Sequence, residues 1–130
     1  MPLSRRSDGR SLTLTTDAGQ GGSVSRLIAL GTTNATVVKA SAGRVLQVSV
    51  NNTNAAARYL KLYNKATAPT VGTDTPLVTI PLAAGTAVHV HYPGGIKFTT
   101  GIGFALTTGI ADSDTAAVTA NEHVVNVIYD

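Results

Sequence analysis

The sequence contains no cysteine and no tryptophan, and its aromatic residues are limited to two phenylalanines and four tyrosines. The absence of cysteine excludes a disulfide scaffold, a cysteine-ligated zinc site and thiol catalysis. Charged residues are also scarce, at 13% of the chain, about half of the roughly 25% found in ordinary soluble domains. The longest apolar runs, such as residues 27–30, are about four residues long, whereas a membrane-spanning helix needs ~20. The sequence therefore predicts no membrane segment.

What the chain does contain is typical of one folded domain. Its 130 residues are 43% hydrophobic, and a chain of this length is the usual size of one domain with one core. High hydrophobicity combined with low charge argues against intrinsic disorder. The low charge also suggests that something other than water covers part of the surface.

The net charge of +3 and the pI near 9.5 raise the question of nucleic-acid binding. Four arginines lie in the first fifth of the chain, whereas basic and acidic residues are interspersed along the remainder. Nucleic-acid binding usually needs a dense basic face with aromatic stacking platforms, and few aromatic side chains are present. We therefore predict no nucleic-acid partner.

Residues 1–26 differ in composition from the rest of the chain and are rich in Ser, Thr, Gly and Arg. The alternation in residues 12–15 is typical of a short strand, and the glycines of residues 19–22 indicate a hinge. We predict an extended N-terminal arm that becomes ordered along another surface, for example by adding to a sheet edge. The alternative is a frayed terminus. The candidate partner-binding residues are Arg5, Arg6, Arg10, Leu12, Leu14 and Arg26.

Residues 27–130 carry the pattern of an all-β domain. Helical periodicity is almost absent, and Gly, Pro, Asn and Thr interrupt the chain at intervals of roughly 8–12 residues. About eight strands with short connections predict an antiparallel β-sandwich with jelly-roll or Greek-key topology. The predicted strands are 36–40, 44–51, 58–63, 77–82, 86–92, 96–99, 102–107 and 122–129.

Two prolines predict further details of these strands. Pro81 cannot donate a ladder hydrogen bond, so its strand is expected to lie at the edge of a sheet or to end there. Residues 93–95, Pro-Gly-Gly, are expected to break the strand that begins at Thr86.

Three histidines are candidate metal ligands. His89 and His91 project from the same face of one strand because side chains alternate with period two, and His123 opens the last strand. Three imidazoles can hold zinc, but nothing in the sequence places His123 beside the other two. The favoured interpretation is that His89 and His91 are ordinary outward residues of a strand.

The sequence offers no stronger candidate for a metal site or for catalysis. Asp112 and Asp114, with Asp74, suggest calcium, but residues 112–117 lack the glycine and the twelfth-position carboxylate of a calcium loop. No serine lies in a Gly-x-Ser-x-Gly elbow, and the few acidic and aromatic residues do not suit a glycosidase groove. We therefore predict no metal, no cofactor, no catalytic residues and no enzymatic activity.

Two strands carry candidate subunit-interface residues. In residues 58–63 the leucines are expected to face the core, and Tyr59, Lys61 and Tyr63 to point outward. Such a ladder suits a protein interface, where tyrosine is enriched, but it is equally compatible with a second covered face of a sandwich strand. The last strand is apolar on both sides, as expected of a central or interface strand. Its interface candidates are Val124 and Ile128.

Three segments resemble a known family. They are RYLKLYNKATAPTVGTDTP at 58–76, GIGFALTTG at 101–109 and VNVIY at 125–129. This pattern is similar to small structural proteins encoded among the virion genes of tailed bacteriophages. The similarity covers about residues 32–130 and leaves the N-terminal arm unmatched.

The resemblance implies a β-sandwich component of the virus particle, of the capsid cement or decoration type, that binds the outer shell as a homotrimer. It supplies no catalytic residues. The expected partners are the major capsid protein and further copies of this chain, on the exterior of a capsid made in the bacterial cytoplasm. The alternatives are a neck or tail component and a host-glycan-binding module of the same particle.

Overall fold

A computed structural model describes residues 4–5, 11–12 and 21–130 of the chain. Within these residues no helix is long and apolar enough to cross a membrane. The described chain forms the strands β1 (Ser4–Arg5), β2 (Ser11–Leu12), β3 (Ser23–Ile28), β4 (Thr36–Lys39), β5 (Gly43–Asn52), β6 (Arg58–Tyr63), β7 (Val78–Leu82), β8 (Thr86–Phe98), β9 (Ile102–Thr107) and β10 (Val124–Tyr129).

Eight of these strands form two four-stranded antiparallel sheets. The first, called the β3 sheet, has the order β3-β10-β5-β8, and the second, the β4 sheet, has the order β4-β9-β6-β7. β3 pairs with β10, β4 with β9, β5 with β8 and β6 with β7. The four strands of the second half of the body therefore pair, in reverse order, with the four strands of the first half. A long antiparallel ribbon folded over in this way is a jelly roll. The predicted antiparallel β-sandwich is confirmed. The two short strands β1 and β2 pair only with each other.

Buried apolar side chains from both sheets form one core between them. Alternate residues along most strands supply this core, because successive side chains of a strand project to opposite faces. Burying each Val, Leu or Phe stabilises the fold by about 1.5–3 kcal/mol. The fully buried members on the central strands include Val48, Leu60, Leu62, Phe104, Leu106, Val125 and Val127.

β3 is not among the strands predicted from the sequence. It pairs with β10 along its whole length, from Ser23 opposite Tyr129 to Ile28 opposite Val124, and so it crosses the boundary predicted at residue 26. The apolar residues Val24 and Ile28 are 63% and 43% exposed and point away from the core. Leu27 packs against the core, whereas Val24 and Ile28 lie on the outer side, so β3 has apolar residues on both faces and gives a weak period-two signal.

β8 continues through residues 93–95, so the predicted strand break is wrong. Its pairing with β5 shifts between Val45 and Gln47, and the extra residues 92–95 of β8 form a bulge. Both glycines of this bulge adopt positive φ angles, 76° and 82°, which glycine reaches without steric cost. β8 therefore merges the predicted strands 86–92 and 96–99.

The edge position predicted from Pro81 is confirmed, because β7 is the outermost strand of the β4 sheet.

Candidate partner-binding face

The outer face of the β4 sheet is covered by the protein's own loops. Lys61 and Tyr63 of β6 are 0% and 1% exposed, and Thr107 of β9 is also buried. The Lys61 ammonium donates a hydrogen bond of 2.6 Å to the carbonyl oxygen of Ala111, which lies in the loop after β9. This contact holds the loop over the sheet.

The outward ladder of Tyr59, Lys61 and Tyr63 is therefore not an exposed surface. Tyr59 is half-buried, and the other two side chains are enclosed within the chain. Of the two interpretations left open by the sequence, the covered second face is the one that the structure shows. The sequence around Lys61 gives little sign of this coverage, because Ala111 of the covering loop lies 50 residues further along the chain.

Burial also dominates the electrostatics of this covered face. Desolvation lowers the pKa of Lys61, and the nearby carboxylates of Asp114 and Asp112 partly offset that effect. Desolvation raises the pKa of Tyr63, whose hydroxyl has no hydrogen-bond partner among the described residues. Lys61 thus acts as an anchor for the covering loop.

The outer face of the β3 sheet is open, and we call it the open face. Two apolar pairs lie on neighbouring strands there, Val24 opposite Ile128 and Ile28 opposite Val124. The β3 members are exposed and the β10 members are half-buried. Among the described residues, nothing covers these pairs in the way that the loop covers the β4 sheet.

A polar row crosses the open face between these two apolar pairs. The cross-strand register places Arg26 opposite Asn126, Asn126 opposite Ser49, and Ser49 opposite His89. Arg26 and His89 are exposed at the two ends of this row. Arginine is enriched in protein interfaces, and the buried core of an interface is more apolar than its rim.

No protein-family model, curated protein or solved structure matches this chain.

The open face brings together three of the residues predicted from the sequence, Arg26, Val124 and Ile128. Sequence reasoning missed Val24 and Ile28, although they alternate with Arg26 at period two and thus share its face. Of the remaining candidates, Arg5 lies in β1 and Leu12 in β2. Three further candidates lie outside the described residues: Arg6, Arg10 and Leu14.

Gly22 leads the chain into β3 directly over the open face. A Cβ at this position would lie 2.7 Å from Cγ2 of Ile128 and 3.0 Å from Cδ1 of Leu46. Such distances are too short for any side chain without a shift of its neighbours. Glycine here lets the chain pass close to the sheet, so the chain enters β3 beside the open face.

The open face also contains a serine–histidine pair. The Ser49 Oγ and His89 Nδ1 atoms are 2.6 Å apart, which is the spacing of a nucleophile and its general base. Such a base is normally oriented by a third group. Among the described residues, no carboxylate is hydrogen-bonded or ion-paired to His89.

The histidines predicted as possible metal ligands do not converge. His123 is fully buried, and its ring nitrogens lie 2.9 Å from the Asn51 carbonyl oxygen and 3.1 Å from the Glu122 carboxylate. His89 and His91 are exposed on β8. In residues 21–130 and the two short strands, no group of three His, Asp or Glu side chains is arranged to hold a metal ion.

The three acidic calcium candidates make local contacts instead of forming one site. Asp74 accepts hydrogen bonds from Lys65, at 2.6 Å, and from the Thr70 backbone, at 2.7 Å. Asp114 accepts one from the backbone of Ala116, at 2.8 Å. Asp112 is exposed.

Glu122 lies at the centre of a buried polar cluster. Its carboxylate accepts hydrogen bonds from Arg58 Nε at 3.0 Å, Asn54 Nδ2 at 2.6 Å and the Thr119 backbone at 3.0 Å. Burial raises the pKa of Glu122, but these hydrogen bonds and the Arg58 charge outweigh it and lower the pKa to about 2. The cluster joins the start of β10 to β6 and to the loop before it, so its role is structural.

Proposed function

We propose that this protein is a non-enzymatic structural protein of a tailed-phage virion, a capsid cement or decoration protein that binds and bridges major capsid subunits. The observation that carries the proposal is the asymmetry of the sandwich. One outer face is covered by the chain's own loop, and the other presents apolar pairs and an arginine to a partner. The resemblance of residues 58–76, 101–109 and 125–129 to small virion proteins supports the same conclusion.

A cement protein has to contact at least two subunits at once, and this chain offers two separate means of contact. The open face is one, and the N-terminal arm is the other, since the arm joins the body next to that face at Gly22. Two linked contacts bind much more tightly than either alone, because the second forms at high effective concentration. Self-association as a homotrimer, part of this proposal, multiplies the contacts again.

The exposure of aromatic residues favours this proposal over a glycan-binding module. Glycan-binding sites usually present exposed aromatic platforms. All six aromatic residues of this chain lie in the described part, and each is buried or half-buried. A neck or tail component differs from a capsid component only in its location, which a reconstruction of the particle would establish.

The first prediction concerns the open face. The double variant Val24→Gln/Ile28→Gln should bind empty capsid shells of the encoding phage about tenfold or more weakly, because buried apolar contacts at an interface centre contribute most of the binding energy. Both side chains are exposed, so the free energy of unfolding should change by about 1 kcal/mol or less. Co-sedimentation with shells measures the binding.

A matched control uses exposed apolar residues elsewhere. Leu77 and Ile110 are 49% and 61% exposed and lie on the side of the covered β4 sheet. The variant Leu77→Gln/Ile110→Gln should bind shells as the parent does. Equal binding by both double variants and the parent would rule out the open face as the docking surface.

The second prediction concerns the arm. Deleting residues 1–20 leaves β3 intact, since β3 begins at Ser23, so the body should keep its thermal unfolding midpoint. The deletion should weaken shell binding because one of the two linked contacts is lost. Binding by the truncated protein at parental affinity would remove the arm from the proposal and leave the open face as the sole contact.

A further inference from the structure

A cleft of about 450 Å³ lies at one end of the sandwich, where the turn between β4 and β5 meets the bulge of β8. Three basic residues and one acidic residue are among the described residues that line it: Lys39, Arg44, Lys97 and Asp130. We propose that this cleft binds a small anion that carries at least two negative charges, of the phosphate or polycarboxylate class. This inference does not depend on the proposed function.

Arg44 forms a fixed wall of the cleft. Its Nε lies 3.1 Å from Oδ1 of Asp130, its Nη2 contacts the other carboxylate oxygen, and its Nη1 donates to the Gly94 carbonyl at 3.1 Å. The hydrogen bond from Arg44 lowers the pKa of Asp130, which keeps this carboxylate ionised. The Asp130 carboxylate therefore balances one of the three cationic side chains, and the side chains of the described lining residues keep two positive charges.

The strand register brings two of the cations side by side. Arg44 of β5 lies directly opposite Lys97 of β8, and like charges in this position are destabilising. Lys39 approaches from β4, and its Nζ would lie 3.0 Å from a Cβ placed on Gly43. A ligand with two negative charges would relieve the repulsion that this arrangement imposes.

The bulge of β8 shapes the cleft. A Cβ on Gly95 would lie 3.0 Å from the Cβ of Arg44, so the bulge packs tightly onto the arginine and fixes its position. A Cβ on Gly94 would meet no atom within 4 Å, which leaves the cleft open on that side. Bulges commonly occur next to functional sites, where they redirect the neighbouring side chains.

The remaining lining residues suit a small organic or inorganic anion. Ala42 contributes exposed apolar surface, and the fully buried Phe98 lies beneath the cleft. The volume lies within the range of about 300–1,000 Å³ of small-ligand sites. Charged ligands in such a site gain charge-assisted hydrogen bonds from lysine and arginine.

The test is a titration of the full chain with sodium phosphate and with sodium citrate, followed by backbone amide shifts in nuclear magnetic resonance. Sodium chloride at matched ionic strength serves as the reference. Saturable shifts at Gly94, Gly95 and Lys97 are expected with phosphate or citrate and not with chloride. Lys97→Gln and Lys39→Gln should each weaken the binding about tenfold, since each removes a charged hydrogen-bond donor.

Arg26→Gln is the matched control, because it removes one positive charge from the opposite edge strand of the same sheet. It should leave the affinity unchanged. Lys97 is exposed, so Lys97→Gln keeps the test decisive even if Lys39→Gln does not fold. Non-saturable shifts like those in chloride, or equal affinity of Lys97→Gln and the parent, would overturn the proposal.

An additional titration distinguishes a free anion from acidic side chains of a neighbouring protein. A short peptide with adjacent aspartate and glutamate residues is titrated in the same way. Stronger binding of phosphate or citrate supports a free ligand, and stronger binding of the peptide supports acidic side chains of a partner. The second result would overturn the proposal of a small anion, and saturation by none of the three probes would refute an anion site altogether.

Discussion

Replacing Glu122 by alanine should lower the free energy of unfolding by about 3–5 kcal/mol, the usual cost of removing one partner from a buried ion pair. Arg58, whose side chain is 13% exposed, would keep its charge without the carboxylate. The donors of Asn54 and the Thr119 backbone would lose their acceptor as well. Urea unfolding followed by circular dichroism measures the change.

The same residue predicts how stability depends on pH. Glu122 has a pKa of about 2 in the folded protein, against an ordinary value of 4.5. A group whose pKa is lower in the folded state stabilises the fold above its unfolded pKa. This stabilisation, roughly 3 kcal/mol, is therefore complete above about pH 4.5 and is lost as the pH falls towards 2.

Two variants control for the interpretation. Asp112→Ala removes an equal charge from an exposed position and should change stability by less than about 0.5 kcal/mol. Glu122→Gln keeps the shape but not the charge, so stability between pH 4.5 and 2 should fall less steeply than in the parent. A loss below 1 kcal/mol in Glu122→Ala would show that the cluster does not hold β10 in place.

Replacing Gly101 by alanine should cost about 2–3 kcal/mol through overpacking. A Cβ at this buried position would lie 2.5 Å from the carbonyl oxygen of Lys65 and 2.6 Å from Cα of Ala66. These atoms belong to the backbone and cannot rotate away as a side chain can. The loop after β6 would have to move from the start of β9, to which it is hydrogen-bonded through Lys65 N and Gly101 O at 3.2 Å.

Gly31→Ala provides the matched comparison. A Cβ at Gly31 would meet only the Ala120 nitrogen, at 4.0 Å, which is an ordinary contact. This variant should be neutral or slightly stabilising, because alanine has less backbone freedom to lose on folding. Thermal unfolding of both variants tests the difference, and an equal midpoint would mean that the loop after β6 adapts freely.

The all-β architecture could be predicted because many strands follow period two or carry clear turn signals. β6 and β9 have the predicted bounds, and the ends of β4, β5 and β7 differ from prediction by one residue each. In these segments the turn residues and the alternation of apolar residues predict the same strand boundaries. The edge position of β7 could be predicted from Pro81 alone. Proline has no backbone N–H to donate, so it is confined to edge strands or strand ends.

The elements that were missed depend on contacts between distant parts of the chain. The burial of Lys61 requires the loop that contains Ala111, and a lysine on a strand gives no local sign of such a cover. β3 has apolar residues on both faces, with Leu27 against the core and Val24 and Ile28 outside, so it shows no clear alternation. The cleft at Lys39, Arg44 and Lys97 depends on a bulge whose proline and glycines predict a break in the strand.

The open face is assembled from the first and last strands of the body. Val24 and Ile28 come from β3, and Val124 and Ile128 come from β10, so the two apolar pairs do not exist until the ribosome has released residue 128. Under the proposed function, a product that ends before β10 would lack these apolar pairs and would bind a shell more weakly. Incorporation into the particle would thereby favour molecules in which β10 is present and folded, without a separate proofreading step.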